Sequence, residues 1–158
     1  FILVQKKPDP RMKKTASLIL PLLIGLLSFA ANPDEILGFW KTGDGKGIVQ
    51  IYKKGDKFFG KIVWLAEPKD PETGQPRVDK KNEKESLRSR PLLGMENLTN
   101  FNYVKKGLWQ DGEIYDPKSG ETYSCTIKMI DANTLEVRGY VGISLFGRTD
   151  TWKRQKTK

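Results

Sequence analysis

The polar side chains with the best chemical prospects fall in one stretch, YDPKSGETY at 115–123. Tyr115, Asp116 and Tyr123 would bring two phenol rings and a carboxylate to a single turn. A tyrosine ring has an apolar body and a polar tip, which suits the wall of a ligand pocket. Asp116 also stands before Pro117, where its carboxylate can accept from the following turn amides, so a purely structural role competes. Arginines supply the second set. Arg88 and Arg90 stand where a long polar segment ends. Arg138 interrupts the apolar run LEVRGY, two residues before Tyr140, and Arg148 opens the last segment, GRTDTWKRQ. An arginine amid apolar strand residues must reach water, a carboxylate or a ligand. Two guanidinium forks at one mouth would grip a carboxylate or a phosphate. Pairing with Asp116, Glu136 or Asp150 is the alternative.

The missing residue types are as informative. The chain has no histidine and one cysteine, Cys125. Histidine-based metal sites and Ser-His or Cys-His nucleophile systems are therefore excluded, and no metal or other cofactor is expected. Cys125 alternates with polar residues in YSCTIKM, the pattern of a small buried apolar residue. Asp79, Asp111, Asp116 and Asp150 are available for acid–base work, but spacing marks no two of them as a pair. TGDGKG at 42–47 has a superficial likeness to a phosphate loop. Its Lys46 is followed by Gly47 and then by a strand pattern, so it reads as a turn. Basic residues are dispersed among acidic ones, without the aromatic-basic stripe of a single-strand binder. No nucleic-acid partner is expected.

The first Met is Met12, followed by Lys13, Lys14 and the apolar run in TASLILPLLIGLLSFAA. A basic start, an apolar stretch and a small-residue end make the pattern of a secretory signal. Residues 1–11 read as an upstream extension from an early start, 12–30 as a signal peptide cut after Ala30, and 31–158 as one domain. The run is about 16 residues long and holds Pro21 and Gly25, short of the roughly 20 that a spanning helix needs. The mature protein is expected in the periplasm or secreted, without a transmembrane helix. Cleavage would lower the net charge from +9 to +5, 23 basic residues against 18 acidic.

Strand patterns must position the candidate residues. GIVQIYKK (47–54) alternates, with Val49 and Ile51 on one face, and KGDK turns the chain into FFGKIVWL (58–65). In that segment Phe58, Gly60, Ile62 and Trp64 share a face, and Gly60 signals a bulge or sharp bend. Residues 66–90 form a long polar loop with a short helical turn near 82–90. A strand follows Gly94. Residues 105–131 read as three strand pieces, with DPKSGE as a tight turn between the last two. TLEVRGYVGI (134–143) and GRTDTWKRQ (147–155) finish the chain. About eight short strands with regular turns predict an all-β, up-and-down antiparallel barrel, closed so that no sheet edge is left bare.

Gly38-Phe39-Trp40, GKIVWL, the Asp79-x-x-Asn82 pair, RPLLGM, GEIYDPKSGETY, LEVRGYVG and GRTDTWKR occur together in this order. The mature chain thereby resembles the bacterial domain of unknown function family 2147, whose exported members are similar in fold to the lipocalin-like calycins. The resemblance implies a small barrel and a leader, and carries no activity. In lipocalin-like barrels a Gly-x-Trp opens the first strand and its Trp packs under a basic residue of the last. Here that implies Gly38 and Trp40 at the closed end, with Arg154 or Arg148 as the cation and Trp152 beside it.

The sequence thus points to a barrel that binds a small amphipathic or anionic ligand in the cell envelope, with Arg88, Arg90, Tyr115, Asp116, Tyr123, Arg138, Tyr140 and Arg148 as candidate contacts. A non-catalytic module with a self-filled barrel and an envelope protein as partner is the first alternative. An enzyme using Tyr, Asp and Arg is the second. A binder needs an open cavity of roughly 300 Å³ or more.

Overall fold

The computed structural model describes residues 31–156; the expected extension and signal peptide, residues 1–30, lie outside them. Eight antiparallel strands follow one another around a closed barrel. They are β1 (Gly38–Lys41), β2 (Gly47–Lys54), β3 (Lys57–Leu65), β4 (Glu96–Lys105), β5 (Leu108–Asp116), β6 (Glu121–Asp131), β7 (Thr134–Tyr140) and β8 (Gly147–Gln155). Each pairs with its successor, and β8 closes on β1 through Trp40 opposite Arg154. Among the described residues the helical content is three 3-10 turns, at Pro33–Ile36, Glu85–Leu87 and Ser144–Phe146.

One end of the barrel is solid. Trp40, Phe58, Phe101, Trp109, Ile127 and Leu135 are buried there, each no more than 1% exposed. Two glycines make that packing possible. A methyl group on Gly60 would fall 2.8 Å from Leu98 Cδ1 and 2.9 Å from Val49 Cγ1, and one on Gly112 would strike the Phe101 ring. Bare backbone at 60 and 112 therefore leaves room for the large side chains opposite. Gly60 also sits where the β3–β4 register shifts, as its place inside a strand predicts.

Two bulges alter the expected faces. Ile48 pairs with Trp64 but Val49 pairs with Ile62, so Val63 is an extra residue in β3. A bulge reverses the alternation beyond it. Trp64 accordingly leaves the face of Phe58, Gly60 and Ile62 and is 41% exposed, with Lys41 Nζ 5.6 Å from its ring centroid. Residues 105–131 form two long strands rather than three pieces. β5 runs through Asp111-Gly112 without a break, with a register shift against β6 there, and Asp111 takes φ 58°. Cys125 is fully buried.

The long segment between β3 and β4 is folded against the barrel. It carries its own short pairings, Lys69 with Pro76 and Val78 with Pro91, and Asp70 caps a turn through the amides of Glu72 and Thr73. Its 3-10 turn at Glu85–Leu87 falls inside the expected range.

Candidate functional site

The opposite end of the barrel is open. It is ringed by the β1–β2 loop, the long β3–β4 segment, the β5–β6 turn and the β7–β8 loop. From this mouth a cavity of about 600 Å³ runs down to a floor of Val49, Val137 and Trp152. Those three are no more than 2% exposed, so the cavity stops where the solid half begins. The walls are largely apolar, with Ile62, Leu65 and Ile114 on them. The barrel is thus half calyx and half core.

Tyr115, Asp116, Tyr123, Tyr140 and Arg148 all line this cavity. Two are held by local bonds. Asp116 Oδ1 accepts from the Lys118 amide at 2.9 Å, the turn-capping role. The Tyr123 hydroxyl donates to Glu121 at 2.9 Å. Arg90 lines a neighbouring groove. Arg88 and Arg138 do not line the cavity. Arg88 donates from Nε to the Asn82 carbonyl at 2.8 Å, inside its own loop. Arg138 reaches Ser144 and Leu145 carbonyls and the Thr149 hydroxyl. Its neighbours Val137 and Gly139 line the cavity, and strand alternation sends Arg138 the other way.

The closing residues are divided between floor and far end. Trp152 lines the cavity floor and donates to Asp150 at 2.7 Å. Trp40 lies in the solid half. Its cation is Arg154, with Cζ 4.1 Å from the ring centroid. Gly38 stands at φ 127°, and a methyl group there would meet Arg154 Nη1 at 3.1 Å.

The mouth has a basic annex that the arginine pattern did not announce. A second hollow of about 450 Å³ shares Lys46, Ile62, Leu65, Pro117 and Lys118 with the main cavity and adds Arg77, Lys80 and Lys81. Its acidic lining is Glu67 and Asp70. Asp70 pairs with Lys80, Glu67 with Arg77, and Asp44 with Lys118. Lys46 and Lys81 make no ion pair among the described residues. Burial pushes the Asp44 carboxyl up, but bonds from Lys118, the Lys46 amide and Thr42 outweigh it and hold it at about 2. No spacing rule marks scattered lysines as one wall, because only the loop fold brings 46, 80, 81 and 118 together.

A buried carboxylate secures the long segment beside this mouth. Asp79 is 1% exposed. It accepts from Tyr115 Oη at 2.6 Å, from Arg90 Nη2 at 2.7 Å and from Asn82 Nδ2 at 2.8 Å. Desolvation pushes its carboxyl up, but the three bonds prevail and keep it below the usual carboxylate range. Desolvation and the Asp79 bond both raise the Tyr115 hydroxyl. The carboxyls that are shifted, Asp44, Asp70, Asp79, Glu96 and Asp131, are all held low. None of these five is a proton donor poised near neutral pH. Among the described residues no three His, Cys, Asp or Glu side chains gather to hold a metal, and no helix is long and apolar enough to cross a membrane.

The fold is similar to a solved structure reported as "Protein HP1028 from the human pathogen Helicobacter pylori belongs to the lipocalin family". The TM-score is 0.67 at 24% identity, over 76% of this chain and 82% of that one. No curated protein matches the chain significantly. The family described as "Uncharacterized protein conserved in bacteria (DUF2147)" matches residues 38–154, from the first glycine of β1 to the arginine that closes β8, and the chain belongs to it.

Proposed function

We propose that this protein binds a small amphipathic ligand, with its apolar part in the upper barrel and an anionic head at the lysine-lined annex. The observation that carries this reading is the cavity of about 600 Å³ above a solid floor, a volume typical of small-molecule sites. An eight-stranded barrel has room for one small ligand. The lining supplies the polarity gradient, from Val137 and Trp152 at the floor to Lys46 and Lys118 at the rim. Residues filling only the lower half argue against a wholly self-filled barrel. The low-held carboxyls give the enzymatic alternative no support. We place this binding in the cell envelope, on the leader-like pattern of residues 12–30.

Native mass spectrometry of the purified protein, followed by thermal unfolding with fatty acids, lysophosphatidylglycerol and anionic metabolites, tests the reading. A ligand at a hundredfold excess over its Kd stabilises the fold by about 2.7 kcal/mol. Ile114→Trp, which fills the cavity, should abolish that stabilisation. Lys46→Glu with Lys81→Glu should weaken binding of anionic ligands and leave neutral ones unaffected. No stabilisation by any member, together with no co-purified mass, overturns the proposal.

A further inference from the structure

The loop from β7 to β8 carries the most exposed apolar side chains among the described residues. Val141, Ile143, Leu145 and Phe146 are 71%, 60%, 74% and 76% exposed. No charge interrupts VGISLFG at 141–147. A soluble loop usually carries polar residues at its tip; this one alternates large apolar side chains with Gly and Ser.

Three consecutive carbonyls of this tip, those of Ile143, Ser144 and Leu145, are bonded from within. Arg138 donates from Nε to the Ser144 carbonyl at 2.8 Å and from Nη2 to the Leu145 carbonyl at 3.2 Å. The Phe146 amide donates to the Ile143 carbonyl at 3.2 Å. Water would serve those carbonyls equally well in an exposed loop. Internal bonds matter where water is lost, because bare backbone polar groups are costly in an apolar medium. The same bonds fix the 3-10 turn at Ser144–Phe146 that presents Leu145 and Phe146.

The tip stands on the rim of the cavity, since Val141 and Phe146 also line it. Three basic side chains, Arg148, Lys46 and Lys118, share the mouth with three carboxylates, Asp44, Asp116 and Asp150. The carboxylates are engaged within the fold, Asp44 by Lys118, Asp116 by the Lys118 amide and Asp150 by Trp152. Arg148 and Lys46 make no ion pair among the described residues. Apolar side chains at a tip with cations behind them match the layered chemistry of an anionic lipid surface, acyl chains below and phosphates above. A second copy of the chain meeting tip to tip would instead bring two sets of these cations together. We propose that the Val141–Phe146 loop inserts into an anionic lipid surface and seats the barrel mouth on it, with Arg138 as the positioning residue. Exchange of cargo at that surface rests on the ligand-binding reading above; the docking itself does not.

Flotation of the purified protein with vesicles of phosphatidylethanolamine and phosphatidylglycerol tests this, with phosphatidylcholine vesicles as the neutral control. The protein should float with the anionic vesicles and much less with the neutral ones. Leu145→Asp with Phe146→Asp should lower the bound fraction by about tenfold, with unchanged thermal unfolding and gel-filtration volume. Arg148→Glu should weaken binding and reduce its salt dependence. Ile114→Trp, which blocks the calyx, should float like the unmodified protein, so loss of ligand binding and loss of docking are told apart. Absence of flotation with anionic vesicles overturns the proposal. So does equal flotation of the double variant, equal binding to both vesicle types, or a dimer that the double variant dissolves.

Discussion

The Arg154 guanidinium lies over the indole of Trp40, Cζ 4.1 Å from the ring centroid, and joins the two ends of the sheet. The same group donates to three carbonyls, of Ala132, Leu37 and Glu35, at 2.6–2.8 Å. Trp40 Nε1 donates to the Ile36 carbonyl at 2.9 Å, tying in the turn before β1. A cation over an indole contributes about 0.5–2 kcal/mol, and three backbone acceptors would lose a charged donor. Arg154→Ala should therefore cost about 3 kcal/mol. Arg154→Lys should recover little, because an ammonium lacks the planar fork that spans separate carbonyls. Urea unfolding of both variants checks this; a Lys variant as stable as the parent would show that charge alone is at work.

Gly112 makes the second prediction. Its φ is unremarkable, so the demand is spatial: a methyl group there would overlap the Phe101 ring. Gly112→Ala should destabilise by about 1–3 kcal/mol through overpacking. Combining it with Phe101→Leu should return part of the loss. Thermal unfolding of the two single variants and the double variant reads the coupling directly.

The barrel was legible wherever alternation and turn chemistry agreed. Gly47–Lys54 and Gly147–Gln155 are strands to the residue, since each alternates and is bounded by glycine or a turn. Trp64 escapes that logic because one inserted residue, Val63, reverses its face, and a bulge leaves no mark in hydropathy. Asp79 and Asn82 stand out as a spaced pair, but their burial depends on Tyr115 and Arg90 arriving from 36 and 11 residues away. The rim lysines and Arg138 mislead or stay silent for the same reason. Their roles are set by which loops meet at the mouth, and sequence spacing does not encode that meeting.

Cys125 couples stability to alkaline pH. Burial pushes its thiol up to about 12, against about 8.5 in an unfolded chain. A folded value above the unfolded one gives stability that is complete below pH 8.5 and lost as pH rises towards 12. Ionisation in the unfolded state alone should remove about 2 kcal/mol by pH 10. Cys125→Ala should lack this component, so the stability gap between parent and variant narrows from pH 7 to pH 10. Thiol reagents at pH 7 should label the parent only on unfolding. Prompt labelling of the folded protein would contradict the burial.

Asp79 governs the acid side. Its folded carboxyl is held below the ordinary value by Tyr115, Arg90 and Asn82 despite desolvation. A depressed folded value means stability present above the unfolded pKa of about 3.9 and lost as pH falls through the lower folded one. Asp79→Asn should cost about 2–3 kcal/mol at pH 7, the worth of hydrogen bonds to a charged acceptor. It should also flatten the fall in stability between about pH 5 and pH 3, though Asp44, Asp70 and Glu96 are held low too and keep part of the slope. Tyr115→Phe removes one of the three donors and should cost less. Because the pair ties the long segment to β5, loss of Asp79 should also expose Lys80, Lys81 and Arg88 to trypsin. Faster cleavage there, with the barrel strands still protected, would separate release of the segment from global unfolding. Equal acid profiles for parent and Asp79→Asn would show that the buried carboxylate does not titrate with the fold.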